Sequence, residues 1–122
     1  MAERISDAEH AVMEVLWERS PATATDVAEA IGGERGWSLQ TIKTLLSRLI
    51  AKEAIAHEAE GRRYIYRPLV PREAYLEKES NRLVDRLFGG KVSPLVAHLA
   101  RTRQLSGDDI AELEALLREI KP

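Results

Sequence analysis

Apolar and polar positions follow two different periods along the chain, and the change of period divides it. From Asp7 to Trp17 the apolar residues Ala8, Val12, Val15, Leu16 and Trp17 recur at helical spacing. They follow Ser6-Asp7-Ala8-Glu9, the S-x-x-E spacing of a capping box, so a helix is predicted to begin near Asp7. Ser20-Pro21 should end it, because the residue before a proline is pushed out of helical backbone. Thr23, with Asp26 three positions on, predicts a second N-cap; Val27, Ala28 and Ile31 face inward, and Gly32-Gly33 provides a stop. Glu34 to Trp37 reads as a loop and Ser38 as the next N-cap. The third helix, about Leu39 to Lys52, is the clearest: Ile42, Leu45, Leu46 and Leu49 share one side. Gln40, Lys43, Thr44 and Ser47 share the other, all polar and able to hydrogen-bond.

The period then shortens to two. Residues 55–60 and 64–69 read as strands around Gly61-Arg62-Arg63, a hairpin with two arginines at its tip. Beyond Pro71, which suits a first helical turn, the pattern is helical to the end. One helix runs towards Phe88 and stops at Gly89-Gly90, a second starts at Ser93-Pro94, and Ser106-Gly107-Asp108-Asp109 caps a third carrying Ile110, Leu113, Leu116, Leu117 and Ile120. The expected fold is mainly α with a small β-hairpin wing. It comprises a winged helix-turn-helix domain over residues 1–70 and a helical dimerisation domain over 71–122. Three helices in so short a chain have little partner surface of their own, and an unburied stripe usually finds a second copy. Leu87, Phe88, Leu113 and Leu117 are the candidate interface residues.

Charge changes the picture locally. The 122 residues carry a net charge of −2, but from Arg35 to Arg67 seven basic residues face only three acidic ones. A basic segment sits inside an acidic body, and binding depends on where charge lies rather than on its sum. No cysteine is present, which excludes disulfides, thiolate metal sites and thiol chemistry. The apolar runs are too short for a membrane helix, and Met1-Ala2-Glu3-Arg4 lacks the apolar region of a secretory signal, so a cytoplasmic protein is expected.

Three helices followed by a hairpin is the winged-helix order, in which the third helix enters the major groove. Base-edge contacts from its exposed face would give sequence preference, and phosphate contacts would fix register. Gln40 suits adenine, Lys43 guanine and Thr44 a thymine methyl. Thr41 and Arg48 flank the face and suit phosphates; Arg62 and Arg63 suit a phosphate backbone or a minor groove. An exposed Gln/Lys/Thr/Ser face is by itself usually only solvated, and the combination with a basic hairpin is what favours DNA. A winged helix can also be a protein-interaction adaptor without DNA binding, which is the alternative reading. His10, His57 and His98 lack metal-site spacing. No nucleophile triad, phosphate-binding loop or H-E-x-x-H is present, so neither enzyme activity nor a cofactor is expected.

Several segments resemble the BlaI/MecI/CopY family of repressors: Ile5-Ser6-Asp7-Ala8-Glu9, residues 12–17, and above all Gly36-Trp37-Ser38-x-x-Thr41-Ile42-Lys43-Thr44-Leu45-Leu46-x-Arg48-Leu49. Gly61-Arg62 and Tyr64-x-Tyr66-x-Pro68-Leu69-Val70 are similar to its wing, and residues 86–90 and 94–96 to its dimerisation half. The resemblance covers nearly the whole chain. It implies a homodimer that binds a pseudo-palindromic double-stranded DNA operator and represses resistance or homeostasis genes. It assigns DNA reading to Thr41, Lys43, Thr44 and Arg48, with Arg62 in the wing. Paired recognition helices would sit roughly 34 Å apart on B-DNA. The β-lactam-sensing members are inactivated by a sensor protease at an Asn-Phe bond; that position is His98-Leu99 here. Copper-responsive members carry C-terminal cysteine pairs, and this chain has none. The inducing signal, whether a protease, an antirepressor or a metal, stays open at this level.

Overall fold

The computed structural model describes residues 4–121. The first three residues of the segment read for a secretory signal lie outside them. Ser6 caps α1 (Asp7–Glu18) through the expected capping box: its hydroxyl accepts from Glu9 N–H while the Glu9 carboxylate accepts from Ser6 N–H. Thr23 and Asp26 repeat that arrangement at the start of α2 (residues 24–35). Helix α3 spans Leu39–Ala51 behind Ser38, whose hydroxyl accepts from Thr41 N–H at 3.1 Å.

Helix α2 departs from the sequence reading. Gly32-Gly33 does not stop it; the backbone stays right-handed through both glycines, and residues 24–35 form successive α, π and α stretches. The left-handed residue is Gly36 (φ 69°). Trp37 N–H donates to Gly32 O at 2.8 Å and Gly36 N–H to Gly33 O at 3.3 Å, the paired bonds of a Schellman cap. Glu34 and Arg35 are therefore helical rather than loop. Gly32 is needed for closeness rather than for termination, since a Cβ there would lie 3.1 Å from Trp37 O.

Strands β1 (Ile55–Glu60) and β2 (Arg63–Pro68) pair antiparallel from Ile55↔Pro68 to Glu60↔Arg63. The two-residue turn is Gly61-Arg62, with Gly61 at φ 65°, as a type II′ turn requires of its first central residue. Arg63 thus belongs to a strand and not to the tip. The hairpin is tied down on its far side: Ala22 and Tyr66 exchange both backbone hydrogen bonds, at 3.0 and 2.8 Å. Trp17 Nε1–H donates to Val70 O at 2.8 Å, fixing where the chain leaves the wing.

One core joins these elements. Val12, Met13 and Leu16 of α1, Val27 of α2 and Ile42, Leu46 and Leu49 of α3 have no accessible surface at all, and Ile55 closes the core from the hairpin. Burying each such side chain is worth about 1.5–3 kcal/mol, so the core holds the orientation of α3 against the wing.

Helices α4 (Arg72–Phe88), α5 (Val92–Thr102) and α6 (Gly107–Ile120) complete the chain. Helix α5 begins one residue before Ser93, with no side-chain cap. Ser106 and Asp109 form a third capping box at α6. The chain divides into two compact units, one ending at Leu76 and the other beginning at Glu77. In the first, Arg72 pairs with Glu14 at 3.3 Å and Tyr75 stacks on His10 with ring centres 5.3 Å apart. In the second, none of the three helices buries a described residue. Phe88 is half-buried, with its ring 6.2 Å from that of His98. The fold class is the one the periodicities predict: mainly α with a two-stranded wing.

Candidate nucleic-acid interface

Because α3 buries Ile42, Leu45, Leu46 and Leu49, its remaining positions are forced outward. Gln40, Lys43, Thr44, Ser47 and Arg48 are exposed and line one open surface cleft that ends at Ala51. A second cleft runs between the start of α2, the start of α3 and the wing; Lys43, Leu39, Arg62, Arg63 and Tyr64 line it. Lys43 therefore borders both, and the helix face and the hairpin form one continuous polar surface.

Hydrogen bonding separates these side chains by what each has left to offer. The Thr44 hydroxyl donates to Gln40 O at 3.0 Å, which leaves its methyl and an acceptor lone pair outward. Thr41 is half-buried, and its hydroxyl lies 3.1 Å from that of Ser38, inside the cap of the helix. Arg63 is held by Glu60 at 3.0 Å, and Arg67 by Glu58. Lys43, Arg48 and Arg62 have no internal ion partner among the described residues. Of the seven cations between Arg35 and Arg67, these three are the ones without an ion pair that border the two clefts. Arg35 instead lies 5.3 Å above the Trp37 ring.

Lys52 is the residue the sequence reading missed. Its ammonium donates to the Glu9 carboxylate and to Arg4 O at 2.8 Å, fastening the end of α3 to the start of α1. The signal was present: Lys52 continues the inward stripe, seven residues past Leu45 and three past Leu49. Glu9 is almost wholly buried, and its Oε2 has no hydrogen-bond partner among the described residues. Burial pushes that carboxyl up; the bonds from Lys52 and from Ser6 outweigh it and hold Glu9 below its ordinary value. Asp26 is likewise lowered, by the hydrogen bonds of its own capping box with Thr23. Burial raises Tyr66, with a further push from Tyr64 beside it.

The other predicted positions lie in the second unit. Leu87, Leu113 and Leu117 are exposed, whereas Phe88 is partly covered by its own chain. The His98-Leu99 bond lies inside α5, where His98 O accepts from the Thr102 hydroxyl and Leu99 O from Arg103 N–H. No three His, Asp or Glu side chains converge on a metal-sized point among the described residues, and no described helix is long and apolar enough to cross a membrane.

The family model described as penicillinase repressor matches residues 5–119. The penicillinase repressor of Bacillus licheniformis is 37% identical over 118 residues, covering 97% of this chain and 92% of that protein. The methicillin resistance regulatory protein MecI of Staphylococcus aureus strain N315 is 31% identical over 115 residues, 94% of each chain. Among solved structures, the DNA-binding domain of the repressor BlaI superposes with a TM-score of 0.55 at 39% identity, covering 62% of this chain and 92% of that one. The monomeric form of Bacillus licheniformis BlaI in complex with the blaP half-operator gives 0.53 at the same identity and coverage. The chain belongs to the penicillinase repressor family, whose members are transcription regulators and not enzymes.

Proposed function

We propose that the protein represses transcription as a homodimer on a pseudo-palindromic operator. Each copy would set α3 in the major groove and the Gly61-Arg62 turn on the neighbouring backbone. One juxtaposition carries this reading: the polar face of the most deeply anchored helix opens beside a hairpin, with three uncompensated cations between them. In this assignment Gln40, Lys43 and Thr44 meet base edges. Ser47, Arg48, Thr41, Arg62 and Arg63 serve the phosphates, Thr41 and Arg63 after giving up part of their present bonding. That a 39% identical BlaI domain has been solved on a half-operator supports the same placement here.

The dimer is attributed to the second half, through Leu87, Phe88, Leu113 and Leu117, in a cytoplasmic protein that controls resistance or homeostasis genes. Repression would be relieved by separating two reading heads. A sensor protease cutting in α5 or an antirepressor covering α6 would each do this. Cleavage at His98-Leu99 would need α5 to unwind first, because both carbonyls are engaged in the helix end.

Selection of bound fragments from a random duplex library tests the reading. Enrichment of a palindrome with half-sites about one helical turn apart is the expected result. Weak binding that ignores both sequence and salt would replace it with a protein-binding adaptor.

A further inference from the structure

Within the second unit the acidic side chains gather on α6, whereas α4 separates its charges by face: residues 77–88 hold three basic and three acidic side chains. Residues 77–103 hold six basic and three acidic side chains, while residues 104–122 hold two basic and five acidic. The sorting is sharper at the level of free groups. On α4, Lys78, Arg82 and Arg86 repeat every four residues, exposed and without an ion partner among the described residues. They form one ridge about 12 Å long at 1.5 Å per residue. On α6, two acids are used locally: Asp109 closes the capping box and Glu114 pairs with Arg118 at 3.6 Å. The remaining three, Asp108, Glu112 and Glu119, fall within a narrow sector of one side of that helix and have no ion partner among the described residues. They span about 16 Å.

Each row is unfavourable alone. Like charges four residues apart destabilise a helix, and both rows contain such pairs. Each also lies alongside apolar side chains that its own chain leaves uncovered. Leu83 and Leu87 flank the basic ridge, at 38% and 56% exposure, and Leu116 flanks the acidic row at 51%. A hydrophobic strip edged by one row of charge calls for a partner with the opposite edge, and this chain carries both.

From this complementarity we infer that α6 of one copy seats on α4 of a second copy, with Asp108, Glu112 and Glu119 facing Lys78, Arg82 and Arg86, so that charge selects the dimer partner. By two-fold symmetry the contact occurs twice. The inference rests on the homodimer reading above and adds which helices meet and what discriminates self from other chains. Asp85 lies in the groove of the basic ridge and lowers its charge without cancelling it.

The test uses two full-length charge-reversal variants, K78E/R82E/R86E and D108K/E112K/E119K. In the first, both rows are acidic; in the second, both are basic. Sedimentation velocity at low salt should show each alone dimerising on the order of a hundredfold more weakly than the wild type, from six symmetry-related pairs lost and reversed. Mixed one to one, they should form a heterodimer, because both contacts are then restored; recovery on mixing also shows that neither variant failed to fold. Wild-type dimerisation should weaken as salt rises from about 0.05 to 0.5 M. The inference is overturned if both variants dimerise like the wild type, or if the mixture stays monomeric. It is equally overturned if the first variant keeps its dimer and loses only operator affinity, which would assign the ridge to phosphates. A wild type that is itself monomeric at micromolar concentration would instead remove the homodimer reading.

Discussion

Lys52 and Glu9 show how one pair can decide where a whole helix points. The pair joins the last residue of the α3 region to the first turn of α1, and Glu9 is almost without solvent. Removing one partner of a buried pair leaves an uncompensated charge, which costs about 3–5 kcal/mol. Lys52→Met is therefore expected to lower the urea midpoint sharply, and Glu9→Leu with Lys52→Met to recover most of the loss; a single variant as stable as wild type would show the pair to be idle. The Glu9 carboxyl is held below its ordinary value of 4.5, so the folded state binds that proton more weakly than the unfolded chain does. Its contribution is complete above the unfolded value and disappears as pH falls through the lower folded one. Wild type should lose stability on acidification below about pH 4.5 by more than Glu9→Gln does, read from midpoints along a pH series.

Residues on the outer face separate by a different criterion, what they can still donate. Thr44 already donates its hydroxyl to Gln40 O, so its methyl is the larger part of what faces outward. Thr44→Val should keep operator preference, whereas Thr44→Ala should lose part of it. Lys43→Ala should cost about 1–3 kcal/mol of specific binding. Arg62→Ala should weaken binding to all duplexes alike and lower the slope of log affinity against log salt by about one. If Lys43→Ala and Arg62→Ala gave the same profile in salt titrations with matched and scrambled duplexes, the division between base and backbone contacts would be wrong.

At the scale of elements, Gly36 sets the angle at which α3 follows α2. It holds φ at 69° and closes a Schellman cap, with open space where a Cβ would go. Gly36→Ala should destabilise by about 1 kcal/mol through backbone strain alone, and Gly36→Asn by less, since asparagine tolerates the left-handed region. Equal melting temperatures for all three would mean that the cap carries no strain. This element also marks the limit of what the sequence made legible. Periodicity located every helix and both strands, because burial of one face imposes its spacing on the residues. It could not choose between Gly33 and Gly36 as the terminator, since either glycine can turn left-handed and only the Trp37–Gly32 bond selects one. The exposed face of α3 was readable for the same reason as its core. The pairing of Arg63 with Glu60 and the choice of Glu9 as the partner of Lys52 were not, because they depend on strand register and on a helix 43 residues away.

At the scale of the molecule, the proposed homodimer gives the helical tail the task of bringing two reading heads together. Helix α6 leaves Ile110, Leu113, Leu116, Leu117 and Ile120 exposed by 38 to 68%. An aspartate at Leu113 or Leu117 would put a charge into any apolar contact that covers this stripe, at a cost of several kcal/mol. It would leave the core around Leu46 untouched. Leu117→Asp is therefore expected to sediment as a monomer with an unchanged melting transition of its N-terminal unit. Two linked half-site contacts exceed one by a factor of about 10²–10⁴ through effective concentration, so operator affinity should fall by at least about a hundredfold while single half-site affinity stays the same. A monomeric variant with full operator affinity would show that one head suffices. A variant still dimeric would move the interface off α6 and onto α4 and α5.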